Sequence, residues 1–236
     1  MINPKLSSSI SFVIPLYNNE KTLVHELKAC LSILKKHVFR YEVIVCNDGS
    51  TDSSVRLLKQ NFNQDPYVRI LHHQKNLGIA PTLRHLYGEA KFDYIFLYSV
   101  DGDWKTEDIV RMLSVLEKTR ADIIIGVRSQ TNYTTYRKIV SFFYNLLPWL
   151  LFGAKTYDAG SIKIIKKSLF DSIKLSSKSV FFEAELIIKA AKQGANIATV
   201  KNIHYHKRNP KRGRGGKLTS VVQSFSDMIR LRLTQL

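Results

Sequence analysis

Acidic residues are scarce in this sequence. Its 236 residues contain 19 Asp and Glu against 36 Lys and Arg, which leaves a formal charge of +17. So basic a surface favours anionic partners such as phosphates, nucleic acid or the acidic face of a membrane. Hydrophobic residues make up 44% of the chain. That share is ample for a core, and the length suits one large domain or a domain with a small appendage.

Cysteine is also scarce. Cys30 and Cys46 lie far apart, each in an apolar-patterned stretch. This predicts buried thiols in a reducing compartment and argues against a disulfide framework.

Long apolar runs are missing. Residues 1–10 lack the charged start and apolar core of a signal peptide. No run reaches the roughly 18 residues that a spanning helix needs. The nearest, residues 139–154, is interrupted by Ser141, Asn145 and Pro148. We expect it to lie on a membrane or inside the core.

Apolar β-type runs alternate with amphipathic helical patterns through the first half of the chain. The predicted strands are residues 10–16, 41–46, 68–71, 94–98 and 122–127. Such alternation predicts an α/β protein with crossover connections. Further on, the pattern predicts an aromatic apolar stretch at 136–151, a strand within 158–168, a helix at 181–193, an edge strand at 198–200 and an amphipathic helix from 218.

Polar clusters follow three of these strands, at residues 17–20, 47–52 and 101–103. Ligands of α/β sheets bind outside the carboxyl ends of the strands. In the last cluster Asp101 and Asp103 flank a glycine, and two such carboxylates repel each other unless a cation lies between them. The alternative is an ordinary Asp-Gly turn. The coincidence of three clusters favours a site for a metal ion and phosphate.

Several ordered motifs carry a resemblance. They are FVIPLYNNE at 12–20, VIVCNDGSTDSS at 43–54, Asn76-Leu77-Gly78, Asp101-Gly102-Asp103, GVR at 126–128 and YRKIVS at 136–141. With them the chain resembles the family 2 glycosyltransferases, and among these the dolichyl- or polyprenyl-phosphate sugar synthases. The resemblance implies a GT-A fold, which is a mixed, mostly parallel sheet flanked by helices, with amphipathic helices at the C-terminus. It also implies a UDP- or GDP-linked sugar donor, Mg²⁺ or Mn²⁺, and a polyprenyl-phosphate acceptor.

The same resemblance suggests roles for individual residues. The donor-binding set is Pro15, Tyr17, Asn18, Glu20, Asp48, Gly78, Asp101, Gly102 and Asp103. Within it, Asp48 is expected to accept hydrogen bonds from the nucleobase, and Asp101 and Asp103 to bind the metal. The acceptor-phosphate set is Arg128, Arg137, Ser141, Arg208 and Lys217. Asp103, Arg128 and Arg137 are the residues expected to act in catalysis.

Lys105 departs from the pattern of the synthases, which commonly carry Gln two residues after the second Asp. An ammonium group cannot ligate a cation, but it can neutralise a phosphate. Lys105 therefore predicts weaker metal binding or partial replacement of the metal.

The end of the chain is strongly basic. Residues 201–217 contain seven Lys or Arg and no acid. We expect residues 1–200 to form the glycosyltransferase domain and residues 201–236 a basic acceptor loop followed by an amphipathic helix. These features predict a cytoplasmic enzyme that is peripheral at an anionic membrane, with a membrane-protein partner or a second copy of the chain as further contacts.

Three hypotheses follow. A phosphate acceptor is already ionised, with a second pKa of about 6, so an inverting transfer to it needs arginines for positioning and no strong base. A hydroxyl acceptor on a growing glycan would need a base, for which Glu183 is the candidate. A basic nucleic-acid-binding module would explain the charge of +17 but not the acids at the strand ends, so we expect no nucleic-acid partner.

Overall fold

Seven strands form one sheet in the computed structural model, which describes residues 5–129, 135–205 and 218–234. The strands are β1 Ile10–Leu16, β2 Tyr41–Asp48, β3 Val68–His73, β4 Tyr94–Leu97, β5 Ile123–Arg128, β6 Lys163–Lys166 and β7 Ile197–Ile203. Their order across the sheet is β3-β2-β1-β4-β6-β5-β7. Strand β6 runs antiparallel to both of its neighbours, and the other strand pairs are parallel.

Helices cover both faces of this sheet. They are α1 Leu23–His37, α2 Ser54–Phe62, α3 Ile79–Glu89, α4 Glu107–Thr119, α5 Thr135–Phe152, α6 Lys167–Ser172, α7 Phe182–Lys192 and α8 Leu218–Thr234. Helices α1, α2 and α4 contribute to the core on one face, and α3, α7 and α8 to the core on the other. Phe12 and Val13 of β1 point into opposite cores, because successive side chains of a strand alternate. A strand buried on both faces must be apolar throughout, which explains the unbroken apolar run of β1.

The predicted fold class is confirmed. Each strand predicted in the first half of the chain is present, and β7 is the predicted edge strand, lengthened and paired in parallel with β5. The strand predicted within residues 158–168 is also present as β6, but the residues from Lys167 onward form the short helix α6. Both cysteines are free thiols and buried, as the sequence predicts.

Helix α5 is the long apolar stretch that was expected on a membrane or inside the core. Tyr144 and Leu147 pack against the core that contains α7. On its other side the helix exposes large apolar side chains, namely Ile139, Phe142, Phe143, Trp149 and Leu150. Helix α5 therefore packs into the core on one side and exposes an apolar face on the other, and contact of that face with a membrane stays a prediction. Within the described residues, no helix combines the length and the apolarity needed to cross a membrane.

Helix α8 packs against α5 and carries an apolar stripe that faces outward. The exposed members of this stripe are Leu218, Val222, Ile229 and Leu233. The buried side of the helix consists of Ser224, Asp227, Met228 and Leu231. One carboxylate oxygen of Asp227, Oδ2, accepts hydrogen bonds from the backbone N–H groups of Lys178 (2.9 Å) and Ser179 (2.8 Å). A polar contact therefore fixes the side of α8 that faces the domain.

The proposed division at residue 200 falls within a strand. Strand β7 continues to Ile203 and belongs to the sheet. The basic segment at residues 206–217 lies outside the described residues, so its role as an acceptor loop stays a prediction.

Candidate active site

The carboxyl ends of three adjacent parallel strands, β1, β2 and β4, meet at one edge of the sheet. The loop after β1 is hydrogen-bonded to the loop after β2. The backbone N–H of Asn18 donates to Ser50 Oγ at 3.0 Å, and the Asn18 side-chain Oδ1 accepts from Thr51 N–H at 2.8 Å. Asn18 has a φ of 52°, a left-handed conformation that Asn tolerates better than most residues. Two of the three predicted polar clusters are therefore joined.

A reciprocal pair of carboxylates completes this connection. Glu20 N–H donates to Asp52 Oδ2 at 3.1 Å, while Glu20 Oε2 accepts from Ser53 N–H at 2.9 Å. Burial acts to raise the pKa of Asp52, but hydrogen bonds from Ser54 and Glu20 outweigh it and lower that pKa. Glu20 and Asn18, predicted to contact the donor, hold the two loops together in this structure.

Asp48, at the end of β2, is buried and binds the loop that precedes α3. Its Oδ1 accepts from Leu77 N–H and its Oδ2 from Gly78 N–H, both at 2.9 Å. His73 Nδ1 lies 2.8 Å from the same Oδ1. The structure thus brings Asp48 and Gly78 together and gives the carboxylate three protein partners. Its contact with a nucleobase stays a prediction.

Gly49 allows the loop that precedes α3 to lie close to the end of β2. Its φ is +66°, and a Cβ atom at this position would lie 2.6 Å from the backbone of Lys75 and Asn76. We expect Gly49→Ala to lower the free energy of unfolding by about 1–3 kcal/mol and to weaken donor binding, because the loop must move. Chemical denaturation and donor titration would measure both effects.

The matched control is Gly88→Ala in α3, where an added Cβ meets nothing within 4 Å. Alanine in place of a helical glycine stabilises by about 0.5–1 kcal/mol. Equal effects of the two substitutions would contradict the close-approach explanation for Gly49.

The Asp101-Gly102-Asp103 turn follows β4. Gly102 has a φ of 76°, and Asp103 N–H donates to Asp101 Oδ1 at 3.1 Å. Thr22 Oγ1 donates to the backbone carbonyl of Val100 at 2.6 Å. This contact ties the β1 loop to the acid turn, so the third polar cluster joins the first two.

Asp103 is buried and contacts the end of the β7 segment. The Tyr205 hydroxyl donates to Asp103 Oδ2 at 3.1 Å, and Tyr205 pairs with Trp104 through an isolated antiparallel bridge. Sequence reasoning missed Tyr205, because its partner lies 102 positions away. Two carboxylates on one tight turn form an all-oxygen donor set, which fits a hard divalent cation such as Mg²⁺ or Mn²⁺. Metal binding by Asp101 and Asp103 stays a prediction.

Arg128 ends β5 and is paired with Asp158. Its Nε donates to Asp158 Oδ2 at 2.7 Å, and a terminal nitrogen donates to Oδ1 of the same carboxylate. The guanidinium carbon lies 5.2 Å from the centre of the Tyr205 ring and 5.9 Å from that of Trp104. Arg128 therefore stands beside the aromatic residues that flank the acid turn. Asp158 is the second residue that sequence reasoning missed as a site component.

The remaining predicted site residues are Pro15, Tyr17, Ser141, Arg137, Arg208 and Lys217. Pro15 is half-buried near the end of β1, and the Tyr17 side chain is 40% exposed immediately after it. Ser141 lies on α5, in an open groove of about 510 Å³. The side chain of Arg137, and the whole of Arg208 and Lys217, lie outside the described residues, so their roles stay predictions.

Glu183, the candidate base for a hydroxyl acceptor, lies in the first turn of α7 and forms an ion pair with Lys163 of β6. The side chains of Lys163 and Glu183 are only 1% and 6% exposed. Burial, followed by the Glu183 carboxylate, raises the pKa of Tyr87. Glu183 is thus a buried, paired carboxylate.

A mostly parallel sheet with helices on both faces, loops joined at the strand ends and an acidic turn after β4 defines a GT-A glycosyltransferase fold. The model of glycosyl transferase family 2 matches residues 11–181. The chain belongs to this family.

Solved structures agree with this fold. Glucosyl-3-phosphoglycerate synthase from Mycobacterium tuberculosis, in complex with Mn²⁺, UDP and phosphoglyceric acid, is similar with a TM-score of 0.72 and 16% identity, over 95% of this chain and 78% of that one. Mannosyltransferase PcManGT from Pyrobaculum calidifontis, in complex with GDP-Man and Mn²⁺, has a TM-score of 0.67 and 16% identity, over 97% of this chain and 67% of that one.

Sequence relatives include two polyprenyl-phosphate sugar transferases. The chain is 29% identical to the dodecaprenyl-phosphate galacturonate synthase of Rhizobium johnstonii over 178 residues, which are 73% of this chain and 52% of that protein. It is 26% identical to the undecaprenyl-phosphate mannosyltransferase of Micrococcus luteus over 205 residues, which are 80% of each. The chain thus spans about half the length of the first relative.

Proposed function

We propose that this chain is an inverting glycosyltransferase that moves a hexose from a UDP- or GDP-linked sugar to a polyprenyl phosphate at the membrane face. The observation that carries this proposal is the acid turn of Asp101 and Asp103, held where the loops of β1, β2 and β4 are hydrogen-bonded together. The names of the relatives support the acceptor. The large excess of basic residues supports anionic substrates.

The proposed reaction is a single displacement. An oxygen of the acceptor phosphate attacks the anomeric carbon, the bond from that carbon to the diphosphate breaks, and the nucleoside diphosphate departs with the electron pair. No proton must be removed, because the phosphate is ionised at neutral pH. The protein then has two tasks, which are to position the two anions and to stabilise the charge of the leaving group.

The residues for these tasks are those of the acid turn and its neighbours. Asp101 and Asp103 would hold Mg²⁺ or Mn²⁺, which when bound supplies charge neutralisation at the diphosphate. Tyr205 fixes the rotamer of Asp103 through its hydroxyl. Arg128, held by Asp158 beside Tyr205 and Trp104, would contribute its guanidinium to phosphate binding. Lys105, exposed next to the turn, is a further cation for phosphate.

The exposed surface of α5 supports a lipid acceptor. The open groove there is lined by apolar side chains together with two lysines, and its residues are Lys138, Ser141, Phe142, Asn145, Leu146, Trp149 and Lys155. Apolar side chains suit a polyprenyl tail, and ammonium groups suit its phosphate. Helix α8, which packs against α5, adds its own outward apolar stripe.

Membrane binding through α8 can be tested with one charge. We expect Ile229→Asp to reduce binding to anionic lipid vesicles by about tenfold, because a carboxylate on the stripe must be desolvated and is repelled by the lipid. Vesicle sedimentation measures the bound fraction. Gln223→Asp adds the same charge to an exposed residue of α8 that lies outside the stripe and should have a smaller effect. Equal losses would contradict insertion of the stripe.

A hydroxyl acceptor on a glycan is the second candidate. It requires a base, and Glu183 is committed to Lys163 in a buried ion pair, so this observation favours the phosphate acceptor. Radiolabelled nucleotide sugar separates the two, since transfer to polyprenyl phosphate moves the label into a butanol-soluble lipid fraction. Label that stays with water-soluble glycan would overturn the proposal.

The donor is identified by thermal unfolding with a panel of UDP- and GDP-sugars, each with and without Mn²⁺. A true donor stabilises the native state in proportion to its saturation. Binding of duplex or single-stranded oligonucleotides that persists at physiological salt would favour the nucleic-acid hypothesis instead.

A further inference from the structure

A group of soft metal ligands lies beside the donor loops, separate from the acid turn. Cys46 belongs to β2, His73 ends β3, and His85 lies on α3. The Cys46 Sγ and one ring nitrogen from each histidine all lie within 4.8 Å of one another. Among the described residues, no other three Cys, His, Asp or Glu side chains bring their ligand atoms together in this way.

The distances suit tetrahedral zinc. Cys46 Sγ lies 3.7 Å from His73 Nε2, and His73 Nε2 lies 2.9 Å from His85 Nδ1. Zinc bonds of about 2.3 Å to sulfur and about 2.0–2.1 Å to nitrogen place S and N about 3.6 Å apart and two nitrogens about 3.4 Å apart. The distance from Cys46 Sγ to His73 Nε2 matches, and the two imidazole nitrogens need to separate by about half an ångström. The ligand atoms of Cys46 and His85 lie within 4.8 Å of each other before any adjustment. His85 is exposed on α3, so its side chain has room to make that movement.

Asp48 determines which nitrogen of His73 is available. Its carboxylate receives two backbone N–H groups, from Leu77 and Gly78, and therefore acts as an acceptor. His73 Nδ1, at 2.8 Å, must then carry the proton. This leaves the lone pair on His73 Nε2, which points at Cys46 and His85. A carboxylate that orients a ligating histidine is the usual outer partner of a zinc site.

We propose that Cys46 Sγ, His73 Nε2 and His85 Nδ1 bind a zinc ion, with Asp48 orienting His73 and a fourth position open on the His85 side. Sulfur and imidazole ligands select zinc over the hard ions that suit carboxylates. The site is therefore chemically distinct from Asp101 and Asp103. It would tie β2, β3 and α3 together, next to the Leu77–Gly78 backbone that Asp48 holds.

Zinc binding requires the Cys46 thiol to lose its proton and the ring proton of His85 to move. Burial, followed by the charge of Asp48, raises the pKa of the Cys46 thiol to about 12, so the metal-free protein holds a neutral thiol. Zinc binding releases this proton to solvent. The proton on His85 Nδ1, which faces the His73 lone pair, moves to His85 Nε2 through solvent, and both lone pairs then point at the metal. No oxidant or reductant takes part.

Cobalt(II) is the probe, because a Co²⁺–thiolate bond gives a near-ultraviolet charge-transfer band that carboxylate ligands do not. The full chain, stripped with chelator, is titrated with Co²⁺ and then with Zn²⁺. We expect the band to saturate at one Co²⁺ per chain and to vanish as Zn²⁺ displaces it. Absence of the band in the unsubstituted protein overturns the proposal. This readout does not depend on transferase activity.

Substitutions assign the band to the site. His85→Gln, at an exposed position, should weaken Co²⁺ binding by about 10–100-fold or more without changing the unfolding temperature of the metal-free chain. The matched control is His72→Gln, a neighbouring exposed histidine, which should bind as the unsubstituted protein does. An unchanged titration of His85→Gln overturns the proposal.

Two further variants exclude other sources of the band. Cys46→Ser should abolish it, because Cys30 lies in the opposite core; a band that survives in Cys46→Ser overturns the assignment to Cys46. Asp101→Asn should retain the band, and its loss would place the metal at the acid turn and overturn the proposal.

Discussion

Replacing Asp103 by Asn is expected to lower the transfer rate by at least about 10²–10³-fold while the protein stays folded. The substitution removes one negative charge from the acid turn and keeps its shape, and the amide oxygen can still accept the hydrogen bond from Tyr205. What is lost is the carboxylate that would neutralise and hold the divalent cation at the donor diphosphate. Initial rates at saturating donor and acceptor, together with thermal unfolding, measure the two quantities separately.

The control for Asp103 is Asp171→Asn on the short helix α6. Asp171 is a largely exposed acid that pairs with Lys167, and its substitution removes the same charge from the surface. We expect its transfer rate to stay within about twofold of the unsubstituted protein, as for most surface changes. Undiminished turnover of Asp103→Asn would remove Asp103 from the catalytic machinery and with it the proposed metal site.

Lys163→Met is expected to have the largest effect on stability, a loss of about 3–5 kcal/mol in the free energy of unfolding. Lys163 and Glu183 are both buried between the sheet and α7. Removal of the ammonium leaves the Glu183 carboxylate buried without its counter-charge, and methionine supplies volume but no hydrogen bond. Urea denaturation monitored by circular dichroism measures the change.

The double substitution Lys163→Met/Glu183→Gln tests the mechanism. It removes both charges, so most of the lost stability should return, since a buried ion pair replaced by uncharged residues is often close to neutral. Equal stabilities of the single and double variants would show that Lys163 acts through packing. If the double variant also transfers sugar to lipid phosphate, Glu183 is not the base of the reaction.

The fold could be predicted from the sequence where the hydrophobic pattern of a segment reflects its burial in the structure. Strands β1, β2 and β4 are mostly apolar because they are buried on both faces, so their runs stand out from the helices between them. Whether a strand runs parallel or antiparallel to its neighbours could not be predicted from the local pattern. The stretch of β6 looks like any short apolar strand, and its antiparallel insertion between β4 and β5 depends on contacts with residues far away in the chain.

The candidate site was predicted in part for the same reason. The three polar clusters were found because each follows a strand, and the structure joins them through Asn18, Glu20 and Thr22. Tyr205, Asp158 and Lys163 were missed as partners. Their partners lie 102, 30 and 20 positions away in the chain, respectively. No local periodicity encodes a hydrogen bond or an ion pair over such separations.

The polar anchor of α8 has a practical consequence for handling the protein. Rolling the helix to hide Leu218, Val222, Ile229 and Leu233 would break the two hydrogen bonds that Asp227 accepts. The apolar stripe of α8 therefore stays exposed to solvent when no lipid is present. Purified in plain buffer, the protein should self-associate reversibly as its concentration rises, and mild detergent should return it to a single sedimenting species.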